Sequence, residues 1–378
     1  MPPNSDSLLS ALVALIADAT KVVEAHYEKV DAKPYVPSLD DTEPHPLDAV
    51  ISDRDLRTAI QTIEGACAQL SASVARPNHI VLNRFMGSYE PVCLRVATEF
   101  KIADILQENP SNAGMHISDI GKKAGIEERK LGRVLRFLAS KHIFREVSAN
   151  VFANNRLSIQ LLSNNPLINI GLFCTDICFK SAALLPEVLA DIEWGFSYEP
   201  CHAAFNRYTG FPGPLFDHFQ TTEGGARFAV GMEGWNEATE AYALTQVYPW
   251  GELRHGASVC DVGGGIGDVT IRLTKQFPTL QIILQDLPDR ILQAKDDFWM
   301  RNCPEAIKEN RVEFQPLDFL SESPAQNCDV YIAHVFHRNT DNSPDHIPSH
   351  DWPDADSIKI LTGVRKAMGP HSRLLVRE

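Results

Sequence analysis

The sequence predicts an α/β fold: an open, mostly parallel sheet in the carboxyl-terminal half, preceded by a mainly helical half with a winged-helix outline. Three observations predict it. Beyond Ala257 short apolar strands alternate with helices, the pattern of a doubly wound sheet. The first of these strands runs into a glycine-rich turn, Gly263 to Gly267, and then a helix. Upstream, two short amphipathic helices are followed by hairpin signals, and helix, helix and small hairpin is winged-helix order.

At 378 residues and 42.0 kDa the chain exceeds what one core organises, roughly 250 to 300 residues. It divides by pattern into residues 1–80, 81–160, 161–245 and 246–378. In the first segment Leu8, Leu9, Leu12, Val13 and Ile16 fall at helical spacing, giving one apolar stripe that needs a cover. Pro34, Pro37, Pro44 and Pro46 then break regular structure, and helical spacing resumes through Leu56, Ile60, Ile63 and Cys67. This is a helical arm around a loose connector, suited either to capping its own chain or to joining a second copy.

In the second segment Ser118 is placed to cap a helix that stops at Gly125. The next helix has Glu127 and Glu128 at its start, and Leu131, Val134, Leu135 and Leu138 on one face. Ile143–Glu146 and Val151–Ala153 form the hairpin. Arg129, Lys130, Arg133 and Arg136 on the second helix raise a DNA-binding reading, opposed by the net charge of −14 and pI near 5.4, since phosphate backbones are held by a Lys and Arg surplus. The alternative is a packing or dimerisation module with a solvated basic face.

Residues 160–245 read as mostly helical, with a Gly, Pro and aromatic-rich passage from Trp194 to Phe216. Phe228 and Met232 lie one turn apart on a predicted helix, a spacing that by itself points to core packing. The eight cysteines sit mostly in apolar or helical stretches with no leader-like segment before them, which predicts a reduced, cytoplasmic setting. No apolar run reaches the roughly 18 residues of a membrane span, so no membrane partner is expected.

The predicted strands of the last segment are Val259–Val262, Gln281–Gln285, Val312–Gln315, Val330–Phe336 and Leu374–Val376. Open sheets of this kind bind ligands at the strand carboxyl ends. There the chain reads Asp261-Val262-Gly263-Gly264-Gly265-Ile266-Gly267-Asp268. Glycines allow a tight turn and close ligand approach, and the helix start offers free N–H groups. The second strand ends in Asp286, 19 residues after Gly267, where a carboxylate accepts ribose hydroxyl protons. A dinucleotide fingerprint needs its last glycine three residues after the second; Gly267 follows Gly265 by two, so no pyrophosphate cradle is spelled. Asp261 at the strand end also repels phosphate. A nucleoside carrying a cationic amino group fits better, and S-adenosylmethionine meets that description.

With Asp286-Leu287-Pro288, Leu317-Asp318-Phe319 and His350-Asp351-Trp352-Pro353-Asp354, the chain resembles class I S-adenosylmethionine-dependent O-methyltransferases, in a fungal branch similar to plant caffeic acid and flavonoid O-methyltransferases. The likeness runs from about Pro91 to the end and includes Gly132–Leu138 and Arg227–Met232. It implies a Rossmann-like methyltransferase sheet after a winged-helix dimerisation domain, a homodimer, and methylation of a small phenolic or polyketide-like secondary metabolite. It places Asp286 on the ribose, Asp318 and Phe319 near the adenine, and Gly263, Gly265 and Gly267 under the methionine part, with Asp261 and Leu287 as further cofactor-binding residues. Met232, Phe228 and Trp235 face the substrate, His350 is the general base, and Glu378 is one of the acids steadying it. A neutral imidazole suits that task, because a phenol with a pKa near about 10 needs its proton removed to attack at neutral pH.

Relative to the family pattern, Arg338–Ser349 reads as a 12-residue insertion before His350, and the family's last helices and closing hairpin fall beyond Glu378. A family member that binds cofactor without methylating is the alternative function, and a winged-helix nucleic-acid binder the third. His334, His337, His346 and His350 show His-x2-His and His-x3-His spacings. The first pair falls on a predicted strand, which turns neighbouring rings to different faces, so no metal site is expected.

Overall fold

The computed structural model describes residues 7–29, 37–43, 45, 53–109, 113–220, 224–239, 244–333 and 354–376. Two compact units are present, Met1–Asp176 and Ile177–Glu378.

The first unit opens with α1 (Leu8–Tyr27) and α2 (Arg54–Val74), which pack against each other. Asp53 serves both helices. Its Oδ1 accepts from the backbone N–H groups of Asp55 and Leu56, capping α2, while Oδ2 meets His26 Nε2 of α1 at 2.6 Å. Next come α3 (Pro77–Phe85), α4 (Tyr89–Glu99) and α5 (Ile102–Gln107), then β1 (Met115–His116), α6 (Ile117–Ala124) and α7 (Glu128–Ala139). The strands β2 (Arg145–Ser148) and β3 (Val151–Ala153) complete a small antiparallel sheet in the order β1-β3-β2. Its core is a continuous apolar cluster including Ile102, Ile120, Leu131, Leu135, Leu138, Phe144 and Phe152.

The winged-helix outline is therefore present, with one local correction. The side chain that caps α6 is His116, which accepts from the Ser118 backbone N–H; the Ser118 hydroxyl turns to the imidazole instead, 2.7 Å from Nδ1. Gly125 ends α6 at φ 69°, a left-handed conformation that glycine adopts without strain. Of the four cations on α7, Arg136 is engaged by Glu146 and Asn150 of the wing.

A helical run follows from Leu167 to Ala190, made of α8 (Leu167–Phe173), a π turn (Cys174–Cys178), α9 (Phe179–Ala182) and α10 (Leu185–Ala190). It corrects the expectation drawn from apolar run length: by length and composition alone, its 24 residues are enough to cross a membrane. Two charged residues within it have protein partners. Asp176 accepts from Arg95 at 2.6 Å, and Lys180 lies 5.7 Å from the ring centre of Tyr208.

The second unit continues through α11 (Ala204–Thr209), α12 (Leu215–Gln220), α13 (Gly224–Ala238) and α14 (Leu244–Val247) into the sheet. There β4 (Ser258–Val262), α15 (Asp268–Gln276), β5 (Gln281–Asp286), α16 (Pro288–Gln293), α17 (Trp299–Asn302), α18 (Pro304–Lys308), β6 (Val312–Pro316), β7 (Val330–Ala333), α19 (Asp354–Ala367) and β8 (Arg373–Val376) follow one another. The strand order is β6-β5-β4-β7-β8 and every pair is parallel. The chain leaves β4 to one side for β5 and β6 and returns to its other side for β7, so the switch point lies at the carboxyl end of β4.

Both faces of this sheet are buried, which is why its central strands read as nearly unbroken apolar runs. Val259, Ile282, Leu284, Val330 and Ile332 pack with Trp250, Trp299 and Leu273 in one cluster; Cys260, Val262, Tyr331 and Val364 belong to the opposite one. At about 25 cal/mol per Å² of apolar surface removed from water, such burial is the main stabilising contribution to the sheet. Of the expected strand Val330–Phe336, the described part ends at Ala333; 334–336 lie outside the described residues, as do His334, His337, His346, the 338–349 segment, His350, Asp351–Pro353 and Glu378.

Candidate cofactor site at the carboxyl end of the central strand

The turn between β4 and α15 is built by three residues in the left-handed region, Gly263, Gly265 and Gly267, at φ 71°, 61° and 80°. The backbone N–H of Gly263 donates to Gln285 O at 2.9 Å, and that of Gly267 to Gly264 O at 2.9 Å. Gly264 and Gly267 are required for a second reason, close packing. A Cβ on Gly264 would lie 2.5 Å from Asp261 Cγ and 2.6 Å from Leu284 Cδ1, and one on Gly267 would lie 2.8 Å from Trp299 Nε1. Gly265 is the opposite case: a Cβ there would meet nothing within 4 Å, so its backbone borders open space.

Asp261, expected from the sequence to be among the cofactor-binding residues, is fully buried. Its Oδ2 accepts from the Thr270 hydroxyl at 2.8 Å and sits beneath Gly264, so the carboxylate ties the turn to the first helical turn of α15. Asp286 lies at the end of β5 with both oxygens engaged: Oδ2 accepts from the Gly265 backbone N–H at 2.8 Å and Oδ1 from that of Leu287 at 2.7 Å. Burial pushes its carboxyl above the usual carboxylate range, while those two backbone donors pull the other way. Each oxygen keeps a further lone pair for a hydroxyl proton.

Beside it the Leu317 backbone N–H donates to Asp286 O at 2.8 Å, which brings the end of β6 against the end of β5. Asp318 is exposed and folds back on its own loop, accepting from Leu320 N at 3.0 Å and Ser321 Oγ at 2.8 Å; Phe319 is partly buried against the sheet. The structure thus brings Asp261, Gly263, Gly265, Gly267, Asp286, Leu287, Asp318 and Phe319 to the carboxyl ends of three adjacent strands.

Phe228, Met232 and Trp235 fall at i, i+4 and i+7 of α13, one helical face. Phe228 stacks on Phe219 with ring centres 4.6 Å apart, Met232 is half-buried and Trp235 is 46% exposed. The same helix packs on the sheet through Ala229 and receives Arg290 Nη1 on Gly225 O at 2.9 Å.

Sequence reasoning missed the pair that joins α13 to the glycine turn. Asn236 Nδ2 donates to Asp268 Oδ2 at 2.6 Å, and both side chains are buried. Glu233, one turn before Asn236, has its carboxyl raised by burial and then by the charge of Asp268, with Arg301 and Arg272 opposing. No local signal marks this contact, because its partners are 32 positions apart.

A nucleoside with a cationic amino-acid tail fits this donor set. The half-buried carboxylate of Asp286 has lone pairs free for hydroxyl donors, the close-packed Gly264 and Gly267 keep the turn low, and the surrounding acids disfavour phosphate.

The comparisons with known proteins agree with that reading. Residues 195–378 match the O-methyltransferase domain and residues 82–164 the O-methyltransferase dimerisation domain. The chain is 39% identical over 375 residues to 3-O-methyltransferase 2 of Phanerochaete chrysosporium, covering 98% of this chain and 79% of that one. It is 31% identical to O-methyltransferase gedA of Aspergillus terreus, over 87% of this chain and 72% of the relative. Among solved structures, the mitomycin 7-O-methyltransferase MmcR superposes with a TM-score of 0.63 at 25% identity, over 81% of each chain. OxaC in complex with SAH and oxaline superposes with a TM-score of 0.66 at 19% identity, over 97% of this chain and 83% of that one, a likeness of fold. The chain belongs to the O-methyltransferase family, with the family's dimerisation domain followed by its methyltransferase domain.

Proposed function

We propose that this enzyme methylates a hydroxyl of a small aromatic or polyketide-like secondary metabolite, with His350 as general base. The methyl donor is S-adenosylmethionine, whose sulfonium supplies an activated methyl group when bound. The observation that most supports this assignment is the half-buried Asp286 carboxylate, fixed by Gly265 and Leu287 at the end of β5, because it offers two acceptors to a ribose at a turn that lacks a pyrophosphate cradle. In this reading Asp286 and Leu287 hold the ribose, Asp318 and Phe319 border the adenine, and Gly263, Gly265 and Gly267 lie along the methionine part. Asp261 acts indirectly, by holding the turn through Thr270.

The acceptor side is α13. Phe228, Met232 and Trp235 present an aromatic and thioether face that suits a flat phenol. His350, outside the described residues, takes the phenolic proton as the oxygen attacks, steadied by Glu378; the leaving thioether needs no acid, so the remaining contribution is positioning. The dimerisation domain at 82–164 supports a homodimer acting on a small molecule. A cytoplasmic setting accords with the thiols, since none of the eight cysteines, all among the described residues, is in a disulfide.

The test is turnover of a panel of phenols and polyketide-like phenols with S-adenosylmethionine, followed by mass spectrometry. His350→Ala is expected to abolish methylation while S-adenosylhomocysteine still binds; a variant as active as the wild type would refute the base. Cofactor binding without any methylated product across a broad panel would favour a non-methylating member of the family.

A further inference from the structure

The helix α13 is held along its length. Ala229 in its middle belongs to the apolar cluster that contains Val259 and Ile282, and Asn236 near its end meets Asp268 of α15. Its start is held from α16, where Arg290 Nη1 donates to Gly225 O at 2.9 Å. Gln293 Oε1, on the same helix as Arg290, accepts from that nitrogen at 2.8 Å and so fixes the guanidinium in this direction. Gly225 leaves no slack at the contact: a Cβ there would run into Phe219 O, and Phe219 stacks on Phe228 with ring centres 4.6 Å apart. The dipole of α13 does not favour the arrangement, since cations are stabilised at the carboxyl end of a helix and this one stands at the first turn. The effect of the bond is therefore positional.

Arg290 also lies four residues beyond Asp286, and its charge is felt there: burial raises the Asp286 carboxyl, and Arg290 is among the groups that pull it down. One half-buried side chain thus acts on the carboxylate assigned to the ribose and on the start of the helix assigned to the acceptor. We infer that Arg290 is a positioning residue that couples these two places, so that filling the nucleoside site at Asp286 fixes the start of α13 and with it Phe228 and Met232. This rests on the cofactor and acceptor readings above and adds a link between them. The planar guanidinium holds a carbonyl in a set direction, so a shift of α16 is passed to Gly225 and on to the face one turn later. By linkage the effect is reciprocal: an acceptor resting on α13 tightens the cofactor.

The experiment measures hydrogen exchange of the full chain with and without S-adenosylhomocysteine, for the wild type, Arg290→Gln and Arg290→Lys, beside calorimetric titration of the same ligand. Arg290→Lys keeps a cation near Asp286 without the planar fork that reaches Gly225, so it separates charge from contact. In the wild type the ligand is expected to slow exchange at Phe228–Met232 by about fivefold or more. Both variants should lose most of that protection while ligand-induced protection of α15 persists, and Arg290→Lys should bind the ligand within about threefold of the wild type. For phenols that the wild type methylates, the acceptor KM should rise about fivefold in Arg290→Gln. Protection of Phe228–Met232 that survives in Arg290→Gln, or that is missing from a wild type with ligand bound, would overturn the inference. A loss of affinity in Arg290→Lys as large as that in Asp286→Asn would also overturn it and make Arg290 a support of the cofactor site alone. Lost protection with an unchanged acceptor KM would support the coupling and fault the placing of the acceptor on α13. If the wild type binds no S-adenosylhomocysteine, the cofactor reading fails first and the inference falls with it.

Discussion

Asp286 and Gly265 are joined by a 2.8 Å hydrogen bond in which the glycine's backbone N–H donates to Oδ2, linking the end of β5 to the turn that follows β4. This one contact couples the two strand ends on which the cofactor assignment depends. It also makes the turn sensitive to the protonation of a single carboxyl.

Burial raises the Asp286 carboxyl above the ordinary value near about 4. In the ligand-free fold the sign is that of a raised group: its favourable contribution is full below the unfolded value and is lost as pH rises through the folded one. Ligand binding runs the other way, because a ribose needs the ionised acceptor. S-adenosylhomocysteine affinity should therefore fall on acidification at a higher pH than an exposed aspartate would give. Calorimetry between about pH 7.5 and about pH 5 checks this, and Asp286→Asn should bind weakly throughout with that pH dependence removed.

Gly264→Ala and Gly265→Ala separate packing from approach. At Gly264 the new methyl runs into Asp261 and Leu284, so a loss of about 3 kcal/mol is expected, at the upper end of ordinary overpacking costs. At Gly265 the methyl meets open space and only the φ of 61° is strained, costing about 1 kcal/mol. Gly265→Ala should nonetheless weaken S-adenosylhomocysteine, because its open side borders the candidate site. Thermal melts and calorimetry on both variants give the comparison.

On α13, the helix proposed to face the acceptor, Phe228→Ala removes a stacked ring from Phe219. The stack itself contributes about 1 kcal/mol beyond area burial. The expected outcome is a raised KM for the phenolic acceptor with S-adenosylhomocysteine affinity unchanged. Equal damage to both would indicate that Phe228 only supports α13.

In the arm, His26 is raised by its hydrogen bond to Asp53 and Asp53 is lowered by the same contact. The His26 contribution is full below its unfolded value near about 6.5 and is lost as pH rises through its folded value; the Asp53 contribution is present above about 4 and is lost as pH falls. Hydrogen exchange of α1 should show best protection in the mildly acidic window between those limits and faster exchange in alkali. His26→Ala should remove the alkaline loss.

The sheet was legible because its strands are buried on both faces, so Val259–Val262 and Gln281–Gln285 appear as compact apolar runs within one residue of the observed β4 and β5. Asp286 was legible for a related reason: a strand end followed by Leu287-Pro288 is a local signature. What escaped was what only tertiary contact creates. Asn236 and Asp268 meet across 32 residues, and the inward turn of Asp261 depends on Thr270 reaching back from α15. The cap of α6 was assigned to Ser118, the usual residue type, whereas His116 offers the acceptor. Run length was a poor guide from Leu167 to Ala190, where Asp176 and Lys180 interrupt the apolar pattern without ending the helix.

The most direct measurement is calorimetric titration of the full chain with S-adenosylhomocysteine at neutral pH, beside Asp286→Asn. Saturable binding near one ligand per chain, weakened about tenfold or more in the variant, is the predicted result. No binding up to about 1 mM, or binding that ignores the loss of the Asp286 carboxylate, would contradict it.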